Sequence, residues 1–145
     1  MVSTELLNEL QMAQEILSTT DASIVAIKHS QIIGKKTGTG LRPFMELIEE
    51  IGNDLSDCVI GDRILGKASA LLCTYSNIKA VYSPQGTKTA IAFLVMHAIP
   101  CQIDHMIPHI QNRTGDGRCP FEQLLEKIND PQEAYLLLQE KLMQT

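Results

Sequence analysis

The sequence predicts an α/β fold in which a largely parallel sheet carries helices on both faces. Three observations support this. Apolar residues switch between helical and strand spacing along the whole chain, in the order helix, hairpin, helix, strand, helix, strand, helix, strand, helix, helix. Glycine- and proline-bearing breaks at Thr37-Gly38-Thr39-Gly40, Pro84-Gln85-Gly86 and Pro100 separate neighbouring segments. The 145 residues, 44% hydrophobic and 20% charged, suit one domain with a packed core, spanning residues 1–145.

The elements follow in order. Leu6, Leu7, Leu10, Ala13, Ile16 and Leu17 recur at helical spacing behind Ser3 or Thr4, which can cap a first amphipathic helix over Thr4 to Ser18. Two short strands, about Ser23 to Lys28 and Gln31 to Lys35, are joined by a tight turn at His29-Ser30. Thr37-Gly38-Thr39-Gly40 reads as turn chemistry leading to Leu41-Arg42-Pro43, where proline suits the first turn of a helix running to about Ile51. A strand over Asp57 to Asp62 feeds a helix starting at Arg63. A strand over Ile78 to Ser83 ends at Pro84-Gln85-Gly86, and Thr87 caps a helix of Lys88 to His97. Cys101 to Ile107 is the last strand. After a polar loop, helices begin near Pro120 and at Pro131, the latter running to about Met143.

Composition narrows the function. The formal charge is −5 and there is no run of lysine and arginine, so no duplex nucleic-acid partner is expected. The absence of tryptophan and the scattered tyrosines and phenylalanines leave no platform for stacking unpaired bases. No segment approaches the roughly 20 apolar residues of a membrane span, and the first residues lack the basic start of a signal peptide. No membrane partner is therefore expected. Four widely spaced cysteines with no C-x-x-C pair fit a reducing, cytoplasmic setting.

Several groups could carry chemistry. Arg63 and Lys67, placed one helical turn apart beyond Asp62, stand at the end of a parallel strand, where open α/β sheets bind ligands. Two cations beside a helix N-terminus favour a phosphate or carboxylate; the structural alternative is an Arg63–Asp62 pair and a solvated Lys67. Cys119 opens a helix beside Arg118 in the loop Asn112-Arg113-Thr114-Gly115-Asp116-Gly117-Arg118. This is a setting for a reactive thiol with Glu122 nearby, or for a simple helix start that Glu122 helps to cap. Cys101, His105 and His109 recur every four residues, but the prolines bracketing them make the segment strand-like, so no metal is expected there. His29 reads as a turn residue, His97 as a polar group at a helix end, and Glu46, Glu49 and Glu50 as a solvated helix face.

The chain resembles a small bacterial family whose structural representative has the cytidine-deaminase-like fold. The resemblance rests on Gly40-Leu41-Arg42-Pro43, on Asp62-Arg63-Ile64-Leu65-Gly66-Lys67-Ala68, on Val81-Tyr82-Ser83, and on Asn112 to Gly117 leading to Cys119-Pro120-Phe121-Glu122. It implies a three-layer sandwich around a mixed five-stranded sheet. Zinc deaminases start one helix with His/Cys-x-Glu and the next with Pro-Cys-x-x-Cys. Neither motif is present, and basic residues stand where ligands would, so neither metal nor other cofactor is expected. The leading expectation is a non-zinc deaminase-like domain that holds a small anionic, nucleotide-like ligand around Arg42, Asp62, Arg63, Lys67 and Arg113. The alternatives are a non-metal enzyme using Cys119 as nucleophile or acid/base with Glu122, and an interaction module that forms homo-oligomers.

Overall fold

A computed structural model describes residues 3–143. Helix α1 (Thr4–Thr19) is capped by Ser3, whose Oγ accepts the Leu6 N–H at 3.1 Å. Strands β1 (Ile24–Lys28) and β2 (Gln31–Lys36) form the expected hairpin. Its turn residues His29 and Ser30 have φ of 51° and 61°, the paired left-handed conformation whose twist matches a hairpin. Helix α2 (Arg42–Ile51) has Pro43 in its first turn and leads through a 3-10 turn (Gly52–Leu55) to β3 (Val59–Asp62). Then come β4 (Ile64–Leu65), α3 (Lys67–Tyr75), β5 (Ala80–Thr87), α4 (Lys88–Met96) and β6 (Cys101–Ile107). Thr87 caps α4 as expected, its Oγ1 accepting the Ala90 N–H. Two helices close the chain, α5 (Pro120–Leu124) and α6 (Pro131–Leu138), the latter continuing as a π turn (Gln139–Met143).

The mixed sheet has six strands rather than five. β1 runs antiparallel to both β2 and β3, whereas β3, β4 and β6 all run parallel to β5. β6 lines one side of β5 from Val81 to Thr87, so β3 (on Ala80–Tyr82) and β4 (on Gln85–Gly86) share the other side in succession. The extra strand is thus a continuation of β3 past a break at Arg63. This break corrects two expectations. Helix α3 starts at Lys67, so Arg63 and Lys67 are not on one helical face. Pro84 also lies inside β5 instead of ending it. Val81 donates its N–H to Pro100 on the β6 side. The two-residue alternation of a strand then turns the Pro84 nitrogen towards the gap between β3 and β4, where no ladder bond is lost.

Alternation along the strands divides the core in two. Val25, Ile27, Val59 and Tyr82 face α1, with Leu6, Leu10, Ala13 and Leu17 packed on them. Ile24, Ala26, Ile60 and Val81 face the opposite layer, where α2, α3, α4 and α6 supply Met45, Leu47, Leu71, Leu94 and Leu138. Helices therefore lie on both faces. Helix α5 is shorter than its pattern suggests and none of its residues is buried, so Leu125 just beyond it anchors the segment. Among the described residues, no helix is long and apolar enough to cross a membrane.

α1 rests directly on the backbone of β3. A Cβ at Gly61 would lie 2.9 Å from Val25 Cγ1 and 3.0 Å from the Ala13 Cβ. Overpacking of this kind costs about 1–3 kcal/mol. Gly61→Ala is therefore expected to lower unfolding stability by that amount in a urea titration, and an unchanged midpoint would mean that α1 does not sit this close.

Candidate functional site

Buried polar side chains need a reason, because desolvation penalises them unless they are partnered. Among the described residues, the buried polar or charged ones are Glu9, Asp62, Lys67, Ser69, Ser83 and Thr87. Glu9 joins α1 to the hairpin turn by accepting the Ser30 N–H, and it faces Lys79 at 3.5 Å. The other five belong to β3, β5 and the first turns that follow them, on the carboxyl side of the parallel strands, where open α/β sheets place their ligands.

Helix α3 is the focus of this cluster. The first turn of any helix leaves backbone N–H groups without intrahelical acceptors. The N-cap of α3 is Gly66, which has no side chain to offer. The acceptor comes from far along the chain: the Glu122 carboxylate of α5 receives the Lys67 N–H at 2.8 Å and the Ala68 N–H at 2.9 Å. A Cβ on residue 66 would stand 2.5 Å from Glu122 Oε1 and 2.5 Å from Ile110 Cδ1, so the absent side chain is what admits the carboxylate. Lys67 Nζ donates to the Glu126 carbonyl at 2.8 Å. Burial pulls the Lys67 pKa down, opposed by the charges of Glu122 and Glu126.

Asp62 ends β3 beside this helix start. Burial pushes its carboxyl up to about 7, against hydrogen bonds from Ser69 and the Ile64 N–H, and the Glu122 charge adds to the rise. The two carboxyls are thereby separated in role. Asp62 can carry a proton near neutral pH, while Glu122 acts as acceptor for both amides.

The other expected site residues do not converge here. Arg63 turns away from α3 and caps the end of α1, Nη2 donating to the carbonyls of Leu17 at 2.7 Å, Ala22 at 2.6 Å and Thr20 at 3.1 Å, with Nε on Ala22 at 3.0 Å. Neither an Asp62 pair nor an anion site describes it. Arg42 donates to the Leu142 carbonyl, tying α2 to the end of the chain. Arg113 is exposed in a loop organised by its neighbours, where Asn112 Oδ1 accepts the Gly115 N–H at 2.8 Å and Thr114 donates to Asp116 at 2.6 Å. Cys119 is the partly buried N-cap of the five-residue α5, and its N–H donates to the Ile110 carbonyl. Both Glu122 oxygens accept amides of α3, and among the described residues no hydrogen bond joins Glu122 to Cys119. Among the described residues no three His, Cys, Asp or Glu side chains gather as metal ligands.

Sequence reasoning grouped Asp62 with Lys67 as ligand-binding residues and set Glu122 apart with Cys119, and the fold brings the three together; it assigned no role at the site to Gly66, Ser69 or Ser83. The usable signal was the glycine ahead of α3, since a helix start without a capping side chain must find an acceptor elsewhere.

The fold and site define an α/β protein with a mixed sheet and, at its carboxyl edge, a helix start capped by a carboxylate from a distant segment of the chain. The chain belongs to the TM1506 family, a domain of unknown function (DUF1893), whose model matches residues 12–142. A crystal structure of a DUF1893 family protein from Thermotoga maritima is similar at a TM-score of 0.86 and 24% identity, covering 98% of this chain and 93% of that one. That likeness shows the shared fold. No curated protein matches the chain.

Two tests follow. Arg63→Ala leaves three carbonyls at the end of α1 without their charged donor, and a loss of about 1.5–3 kcal/mol is expected from chemical denaturation; no loss would contradict the cap. Asp62 keeps a proton in the native state that the unfolded chain has released between the ordinary 3.8 and about 7. Stability should therefore fall as pH rises across that interval, by up to about 1.4 kcal/mol per pH unit, and level off above it. Asp62→Asn should flatten this profile, and parallel profiles for the two proteins would refute the assignment.

Proposed function

We propose that this chain is a cytidine-deaminase-like domain without a zinc-ligand set, and that it binds a small anion, the phosphate or carboxylate of a nucleotide-like molecule, at the start of α3 in competition with its own Glu122. One observation carries the reading: a carboxylate already occupies the seat, held by two backbone amides at 2.8 and 2.9 Å above a glycine that leaves room for it. The amides and the positive end of the helix favour any anion of this size. Buried Lys67 adds charge, and protonated Asp62 can donate to an oxygen of the ligand. The resident carboxylate is on a five-residue helix that buries none of its own side chains, so releasing it disturbs little of the core.

The test is a thermal-shift titration of wild type, Glu122→Ala and Glu122→Gln with inorganic phosphate and nucleoside monophosphates, against chloride at equal ionic strength. Without ligand, Glu122→Ala should lose about 1–2 kcal/mol, because two helix-start amides lose their acceptor. Phosphate should restore it, since a ligand at a hundredfold its Kd contributes about 2.7 kcal/mol. Wild type should respond only at higher concentration, and Arg63→Ala should keep the response. Equal insensitivity of all variants to phosphate would refute the reading.

A further inference from the structure

A second cleft lies at the opposite end of the sheet, beside the segments that lead into β3 and β5, with a volume of about 770 Å³. Its walls come from the end of α2 and the 3-10 turn after it, from the end of α3, and from α6. We infer that this cleft is a binding site for a small organic cation of the guanidinium or ammonium type, recognised by the Glu49 carboxylate and the stacked rings of Tyr75 and Tyr135.

Several independent features agree in sign. Two helices, α2 and α3, end at this cleft, and helix C-termini carry partial negative charge. The only ionisable groups on its wall besides the two phenols is Glu49, and no lysine, arginine or histidine among the described residues lines it. Tyr75 and Tyr135 stack with ring centroids 4.2 Å apart and planes 6° from parallel. Stacking covers the inner face of each ring and fixes both planes, so a cation would meet an outer face of the pair, a contact that suits a planar guanidinium best. The Glu49 charge lies near enough to Tyr135 to help raise its pKa, after the larger effect of burial and the Tyr75 contribution. Glu49 and both tyrosines line the same cleft.

The hydrogen-bonding groups point the same way. Ser76 lines the cleft, but its Oγ is itself closed to solvent and has no hydrogen-bond partner among the described residues, so it is not one of the groups that meet a ligand. Asn53 and Asn77 add side-chain carbonyls at the exposed rim. A guanidinium has five N–H donors in a fixed fork and no acceptor, which complements a wall carrying a carboxylate and side-chain amide oxygens. This site is separate from the anion seat: it sits at the other end of α3 and uses none of the same residues.

Tyrosine emission reports on the cleft directly, because the chain has no tryptophan and two of its three tyrosines are in the cleft wall. The full-length protein would be titrated with butylguanidine and with butylurea, its uncharged isostere, following tyrosine fluorescence and melting temperature. Butylguanidine should change the emission and raise the melting temperature, with butylurea weaker by about tenfold, the scale of one charge-assisted or cation–π contact. Glu49 is exposed, so Glu49→Gln should fold normally and still lose about tenfold in affinity for butylguanidine. Tyr135→Leu, checked for fold by far-UV circular dichroism, should lose the response, and Tyr82→Phe should keep it. Inorganic phosphate should not compete, so failure at this cleft and failure at the α3 start are read separately. Equal responses to the two isosteres, an unaltered Glu49→Gln, or no response at all would overturn the assignment.

Discussion

The bare N-terminus of α3 constrains much of the structure around it. Its first amides emerge beneath a glycine, inside the protein, where water cannot satisfy them and no local side chain reaches them. Glu122 meets that requirement from 55 residues further on, so the loop after β6 and the short helix α5 must fold back over the carboxyl edge of the sheet. The Lys67 ammonium fastens the same segment from the opposite side through the Glu126 carbonyl. A segment with few buried side chains of its own is thus held by polar contacts to one helix start.

The end of β3 serves both layers. Val59 and Gly61 face α1 and Ile60 faces the other layer, so strand alternation puts Asp62 on the α3 side and Arg63 on the α1 side. The guanidinium reaches the end of α1 in one layer, and Asp62 lies against α3 in the other. One dipeptide therefore links both helical layers to the sheet. The two ends of α3 then differ in electrostatic character: its amino end receives a carboxylate, and its carboxyl end opens onto a cleft lined by Glu49 and two phenols.

Much of the architecture was legible in the sequence because periodicity and caps are local signals. Ser3 and Thr87 cap the helices they precede, Pro43 sits in a first turn, and His29-Ser30 makes the hairpin turn. What was missed depends on partners distant in the chain. Arg42 and Arg63 read as ligand-binding cations, since nothing nearby reveals that backbone carbonyls at Leu142 and at the end of α1 take up their charge. Pro84 reads as a terminator unless the gap in the neighbouring strand is known. Glu122, three residues after Cys119, resembles a local capping acid, yet its amides belong to another helix. The cleft at Tyr75 and Tyr135 joins residues 60 positions apart, which no pattern along the chain brings together.

The most direct measurement is the amide NMR spectrum of Lys67 and Ala68 in wild type, in Glu122→Ala and in Glu122→Ala with inorganic phosphate. A displaceable carboxylate predicts that these two amide protons move upfield when Glu122 is removed and return downfield as phosphate is added, while the amides of α1 and α6 stay in place. Resonances at Lys67 and Ala68 that ignore both the substitution and the phosphate would contradict the anion seat at the start of α3.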